Sequence, residues 1–567
     1  MVPDAGCRVP DTGKNNKTET MKKTIITFII IALSATLTAQ QDRLHNLITK
    51  TTENLTESHF EIYTDLHGSP ELSLFEFKTA EKMAARLKEM GFEVTKGIGG
   101  TGVVGVFRNG PGKTIMLRTD MDALPVKENT GLPYSSTVVM KDASGIEQPV
   151  MHACGHDLHM TVWMGTLKTL VALKNEWKGT IIAVAQSGEE ISFGAKAMIE
   201  DGLFKRFPVP DYALAYHVSA ELPAGTIGYF PGPIFAGVKS AEITVYGSGG
   251  HGAMPHTTID PVVIAAKIIL DIQTIVSRTI NPVKPAVVTV GAISGGSKHN
   301  VIPEEVKMLL TIRYFEDEIL EQIKESLSRI ARGAAVAAGL PEDKMPLVYI
   351  EPAETAPVSN DPQLVMNSVG FMRNCLGDDN VVQVDPMTVG EDFGKYGTTE
   401  EKIPIALFWL GGVNHDLYKK HKEEGAFLPP LHNAAFHPDF QPTFKGGVAA
   451  MSAAMISLFS DDSTGQKSDN ESPEPAQKTI VPMSILENYA GEYRISEAAT
   501  VNITVVGTRL FYQQAGRGSI ELYPLGETSF FIEDENSRVE FSRDEKGYFN
   551  ILTISTNGQK TIARRIK

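Results

Sequence analysis

The chain has 567 residues, too many for a single hydrophobic core, so three or four folding units are expected. Its composition, 42% hydrophobic and 21% charged, is that of an ordinary soluble globular protein. A formal net charge of −15 argues against a nucleic-acid partner, which needs clustered Lys and Arg, and three cysteines (Cys7, Cys154 and Cys375) cannot build a disulfide framework.

Residues 1–20 are polar and precede a second methionine, so they read as a start-site artefact. Met21-Lys22-Lys23 then leads into an apolar run that ends at small residues around Thr38-Ala39-Gln40. This is the pattern of a signal peptide over 21–40 and is short for a bilayer span. The expected location is periplasmic or secreted, with no membrane span once the signal is removed.

A helix is expected from Leu44, then a second one carrying Phe77, Ala80, Met83, Ala84, Leu87 and Met90, with Gly91 as its C-cap. Strands Gly102–Phe107 and Thr114–Leu117 follow, the second emptying into Asp120 and Asp122. Open α/β sheets keep their ligands at the carboxyl ends of strands. Asp157 opens a helix that runs to Leu173; strand Ile181–Ala185 delivers Glu189 and Glu190, and strand Tyr212–Ala215 delivers His217. From residue 237 the pattern becomes βαββαβ: strands Ala241–Tyr246, Ala286–Ile293, Val306–Ile312 and Leu347–Ile350, with helices after Asp260-Pro261 and from Asp317 to Ala338. The first architecture resumes with a helix over Leu364–Phe371, strand Val381–Val384, the buried run Ile403–Leu410, His432 and a closing helix Gly447–Phe459. Residues 461–482, rich in Ser, Asp, Pro, Gln and Lys, read as a linker, and six strand-like runs from Val501 to Ile554 as a small antiparallel β domain. The expected division is thus 42–236 and 354–460 for a mixed-sheet α/β catalytic domain, 237–353 for an inserted ferredoxin-like α+β lid or dimerisation layer, and 483–567 for an all-β domain.

The chemistry concentrates in Met151-His152-Ala153-Cys154-Gly155-His156-Asp157-Leu158-His159 and in Gly188-Glu189-Glu190. A thiol, imidazoles and carboxylates in one place suit a borderline-soft divalent metal, zinc first, with manganese or cobalt also possible. Neighbours at a strand end alternate in direction, so one glutamate can ligate while the other holds a water. A divalent ion brings the pKa of a coordinated water to about 7, within reach of a carboxylate base. His251, set among glycines, is a candidate for the oxyanion, although a polar loop residue has the same pattern. Arg313 could clamp a substrate carboxylate or be a surface charge. No G-x-S-x-G or Walker loop accompanies them.

The blocks Asp65-Leu66-His67 with Pro70-Glu71-Leu72-Ser73, Arg118 to Pro125, Met151 to His159, Gly247 to His256, His299-Asn300-Val301-Ile302-Pro303 and Gly390 to Phe393 resemble the metallo-amidohydrolase and carboxypeptidase family that includes hippurate hydrolase, the indole-acetyl-amino-acid hydrolases and the aminoacylases. The resemblance covers about residues 44–459. It implies two metal ions per subunit held by Cys154, His156, Glu190, His217 and His432, Glu189 as general base, and Asp120 and Asp122 as supports behind the ligands. It also implies a homodimer through the inserted layer, with His251 and Asn300 near the scissile group. Ser187-Gly188 before the glutamate pair, Val389 and Tyr216-His217-Val218 depart from the family's usual residues without removing a ligand. The expected activity is hydrolysis of the amide bond of an N-acyl amino acid or short peptide. A dipeptidase or deacetylase of cell-wall fragments, and a binding protein that keeps the fold without turnover, are the competing readings.

Overall fold

The computed structural model describes residues 42–351, 355–460 and most of 481–566. The start-site and signal-like segments, and the linker apart from Val481, lie outside the described residues. Two compact units divide the chain, Met1–Asp462 and Ser463–Lys567. Among the described residues no helix is long and apolar enough to cross a membrane.

The first unit is built on an eight-stranded sheet in the order Glu93–Ile98, Gly102–Arg108, Thr180–Gln186, Thr114–Asp120, Tyr212–Pro223, Ile405–Val413, Ile227–Tyr229 and Val381–Gln383. The four central strands, from Thr180–Gln186 to Ile405–Val413, run parallel. Because side chains alternate along a strand, such apolar runs must be covered on both faces. Ile115, Leu117, Ile181, Ala183 and Leu214 pack on one side with the helix His156–Ala172 and the helix Phe440–Ser460. Met116, Ile182, Val184, Ala213 and Ala215 pack on the other with Met198, Phe393 and Tyr396.

The insertion is a four-stranded antiparallel sheet, ordered Ala286–Ser294, Glu305–Tyr314, Gly237–Tyr246, Leu347–Ile350. Strand Glu305–Tyr314 alternates strictly, with Val306, Met308, Leu310, Ile312 and Tyr314 turned onto the helices Pro261–Thr274 and Asp317–Ala337. Asp260 caps the first of these helices by accepting from the Val262 N–H at 2.9 Å, with Pro261 at the first helical position.

Several elements differ from the sequence expectation. The strand starting at Tyr212 continues to Pro223, so His217 stands inside a strand rather than after one. The helix His415–Glu424 buries none of its residues, so hydrophobic periodicity gives no sign of it. The second unit is an eight-stranded closed barrel rather than a six-stranded sheet; Gly491–Ser496 and Gln559–Arg565 pair with each other and close it. Its interior is filled by Tyr489, Tyr493, Phe530, Phe541 and aliphatic neighbours.

Candidate metal centre

Three elements of the first unit converge at the carboxyl end of the parallel strands. The turn Met151–Gly155 and the start of helix His156–Ala172 bring Cys154 and His156; strand Tyr212–Pro223 brings His217; the turn after strand Thr180–Gln186 brings Glu189 and Glu190. Gly155 makes the first of these possible. Its φ is +77°, and a Cβ there would stand 2.6 Å from Val218 Cγ1. His432 comes from a later loop with φ +65°, a strained value for a non-glycine residue, and its N–H donates to the Ala153 carbonyl at 2.8 Å.

Cys154 Sγ lies 3.5 Å from His217 Nε2 and 3.3 Å from His432 Nε2. Glu190 carboxylate oxygens lie 3.5 Å from His432 Nε2 and 3.8 Å from His156 Nε2. Donors around one tetrahedral ion at roughly 2.0–2.3 Å must stand about 3.3–3.8 Å apart, which is the spacing found. The donors form two triads, Cys154–His156–His217 and Cys154–Glu190–His432, and the thiol is common to both. His156 Nε2 and Glu190 Oε1 are buried with no hydrogen-bond partner, which buried polar atoms rarely tolerate. These residues fit a divalent cation of intermediate softness.

The imidazoles are held in the tautomers a cation needs. His156 Nδ1 donates to the Asp122 carbonyl at 2.8 Å and His217 Nδ1 donates to the Val218 carbonyl at 2.9 Å, so each presents Nε2 to the cluster. Asp122 also accepts from the Glu190 N–H at 3.0 Å and from Ser73 Oγ at 2.7 Å. His159 donates from Nδ1 to Asp120 at 2.7 Å while its Nε2 accepts the Val218 N–H at 2.7 Å. It thereby fixes the backbone beside His217.

The site carries an excess of negative ends. Burial, reinforced by Glu190 and Glu189, pushes the Cys154 thiol well up. Burial lifts Glu190 to about 7 against the pull of His156, with Asp122 adding to the lift. Burial, then Glu391, Glu190 and Asp392, raise Glu189 well above the usual carboxylate range. His156 is lifted to about 10: burial works against its charge, and Asp120, Asp122 and Glu190 outweigh it. A cation among these groups offsets both the burial of the carboxylates and thiol and their mutual repulsion.

The glutamate pair departs from expectation. Both Glu189 Oε2 (3.9 Å) and Glu190 Oε1 (3.8 Å) approach His156 Nε2. They lie in a turn between Gly188, φ +59°, and Ser192, φ +57°, where the strand rule of alternation no longer applies. Asp122 stands behind His156, whose Nδ1 its carbonyl accepts, while Asp120 holds His159 and has a carboxylate oxygen 3.9 Å from His156 Nε2. His251, Asn300 and Arg313 are not brought to the cluster within this chain. Among the described residues His251 pairs with Val301 in a two-residue ladder, and the Asn300 carbonyl accepts from the Gly252 N–H at 2.8 Å; both side chains are exposed at the tip of the inserted layer. Arg313 donates to Thr311 Oγ1 at 2.5 Å and to the Ile312 carbonyl at 3.1 Å.

The sequence reading assigns no role to Arg118, Glu391 or Asp392, which form the wall behind Glu189. Arg118, with no side-chain exposure, donates to Asp120 (2.7 Å), to both oxygens of Glu391 (3.0 and 3.3 Å), to Asp392 (3.1 Å) and to Gln186 (3.0 Å). The signal available in sequence is an arginine directly after the apolar run Ile115–Leu117, where a buried charge must have a partner. His67 is a second such group: Nδ1 meets Asp157 at 2.7 Å and Nε2 meets Glu128 at 3.0 Å, so both nitrogens donate. Against burial, the two carboxylates lift it to about 10.

The sequence model of peptidase family M20/M25/M40 matches residues 116–428. A second, described as a domain of unknown function (DUF3471), matches residues 475–563. The chain is 35% identical over 373 residues to an N-acetyldiaminopimelate deacetylase of Leuconostoc mesenteroides, covering 64% of this chain and 92% of that one. It is 35% identical over 399 residues to thermostable carboxypeptidase 1 of Saccharolobus solfataricus, covering 69% and 92%. A solved Bacillus subtilis structure described as a dinuclear metal binding peptidase of the M20 family superposes with a TM-score of 0.58 at 29% identity, over 72% of this chain and 99% of that one. With its donor triads at the strand ends and a family match over more than half its length, this chain belongs to peptidase family M20/M25/M40 and is a metal-dependent hydrolase of amide or peptide bonds.

Proposed function

We propose that the chain removes the acyl group from an N-acyl amino acid, or the terminal residue from a short peptide, with Cys154, His156, Glu190, His217 and His432 holding two divalent ions and Glu189 acting as general base. The observation that carries this reading is the position of Cys154 between the two triads, 3.5 Å from His217 and 3.3 Å from His432. Bound there, divalent ions would polarise the scissile carbonyl and lower the pKa of a water so that it gives up a proton near neutral pH. Glu189, buried beside Glu190, takes the proton of the attacking water and returns it to the departing amine nitrogen. Asp120, Asp122 and His159 keep the imidazoles from turning.

The working form is a homodimer through the inserted layer. Strand Ala286–Ser294 is a free sheet edge, and Val262, Val263 and Leu270 are exposed on the adjoining helix, a combination that a two-fold pairing would cover. Such a pairing gives the exposed His251 and Asn300 a place at the partner's substrate, with Arg313 as the candidate carboxylate clamp. The lysine pair and apolar run at residues 22–39 support export to the periplasm or beyond. A deacetylase of small N-acetylated cell-wall amino acids is the second reading, favoured by the named activity of the Leuconostoc relative.

Metal analysis beside hydrolysis of hippurate-like and N-acetyl amino acids tests the proposal in the parent and in Glu189→Gln. The variant should keep its metal and lose about 10²–10⁴-fold in turnover. Equal turnover would remove Glu189 from the mechanism.

A further inference from the structure

A cavity of about 460 Å³ opens beyond the carboxyl ends of strands Tyr212–Pro223 and Ile405–Val413, with Ala220 and Val413 in its wall. None of the candidate metal ligands lines it. Ala220 belongs with Tyr216 and Val218 to the strand face that packs on the helical layer. His217 projects from the opposite face, against Phe235 and Trp409. The segment carrying His432 forms a partition through Phe436 and Asp439.

The lining has an unusual balance. Four aromatic rings contribute, Phe60, Tyr134, Phe436 and Phe440; Phe60 meets Tyr134 edge-on at 5.9 Å and Phe440 at 5.2 Å. Among the described residues Asp439 is the one carboxylate in the lining, and no lysine or arginine lines the space. Asp439 Oδ2 accepts from Asn414 Nδ2 at 2.8 Å, and among the described residues no hydrogen bond reaches Oδ1. Partial burial and the charge of His67 hold the His437 pKa below its ordinary value. Ring faces and a carboxylate both attract positive charge. The volume is that of a site for one small molecule.

We propose that this cavity is a second ligand site, behind the metal centre, that takes an organic ammonium ion with an apolar body. The aromatic walls cover the body, and the ammonium group donates to Asp439 across the ring faces. An anion of the same shape meets only like charge, and a neutral analogue keeps the apolar contact alone.

The test uses the full-length protein with its metal chelated, so that binding is read without turnover. Phenethylammonium, 2-phenylethanol and phenylacetate are titrated by calorimetry. Phenethylammonium should bind at least about tenfold more tightly than the alcohol, and phenylacetate should not bind. Asp439→Asn keeps the aromatic walls and should bring the ammonium ion and the alcohol to parity. Leu417→Trp, which fills the cavity from its half-buried rim, should abolish binding of both, and this variant decides the matter if Asp439→Asn does not fold. Absence of binding at millimolar concentration, equal binding of phenylacetate, or undiminished binding in Leu417→Trp would overturn the proposal.

Discussion

Arg118→Met tests the architecture behind the metal centre. The guanidinium makes five hydrogen bonds, four of them to three carboxylates, in a place with no solvent exposure. Charge-assisted hydrogen bonds are worth about 1.5–3 kcal/mol each, a nominal 6–12 kcal/mol for four, but carboxylates left without a cation can take up protons instead. Breaking a buried ion pair from one side costs about 3–5 kcal/mol, and we take about 4 kcal/mol at pH 7.5. The pH dependence is the sharper part. Asp392 already sits at about 7, raised by burial and by Glu391 against the pull of Arg118, and Asp120 is well below its ordinary range, His156, His159 and Arg118 overcoming burial. Without Arg118 these carboxyls rise, so the folded variant holds more protons than its unfolded chain and loses stability as pH increases. One extra proton held between pH 5.5 and 7.5 changes the difference from the parent by about 3 kcal/mol, at about 1.4 kcal/mol per pH unit. Urea unfolding in chelator, followed by tryptophan fluorescence, reads this, since Trp163 Nε1 donates to the carbonyl of Leu117 beside Arg118. A variant within about 1 kcal/mol of the parent, with a parallel pH curve, would refute the reasoning.

Other substitutions test separate steps. Cys154→Ser removes the donor shared by both triads, so mass spectrometry should find one ion or fewer per chain; two retained ions would show that the thiol is not shared. Gly155→Ala places a methyl group 2.6 Å from Val218 Cγ1 at a φ of +77°. Left-handed backbone and overpacking together should cost about 2–5 kcal/mol and weaken metal binding, read by unfolding and by competition with a chelator. A chain ending at Ser460 should keep metal and turnover, because all five proposed ligands precede that point; a folded but inactive truncation would assign the barrel a part in catalysis. Val263→Lys with Leu270→Lys should shift the mass measured by light scattering from dimer to monomer, and an unchanged mass would move the interface elsewhere.

Much of the centre could be read from residue types at strand ends, since His, Cys, Asp and Glu placed directly after buried apolar runs are costly to desolvate unless a ligand or a partner compensates them. The order of strand-like and helix-like runs gave the mixed α/β sheet and the inserted βαββαβ layer. What escaped depends on information not carried locally. The shared direction of Glu189 and Glu190 follows from positive φ at Gly188 and Ser192. The partners of Arg118 cannot be read locally, because Glu391 and Asp392 come from far along the chain. Barrel closure rests on the pairing of Tyr493 with Arg565, far apart in the chain.

The two donor triads are not equally anchored. Cys154, His156 and His217 are all buried, and the strand of His217 is paired with a neighbour on each side. His432, with 54% of its side chain exposed, is supplied by a loop. An ion held through His432 would therefore be released by displacement of one surface side chain, while one held by Cys154, His156 and His217 would need buried side chains to move. Stripping by a chelator should proceed in two separated phases, and the residual species should hold its ion against the sheet.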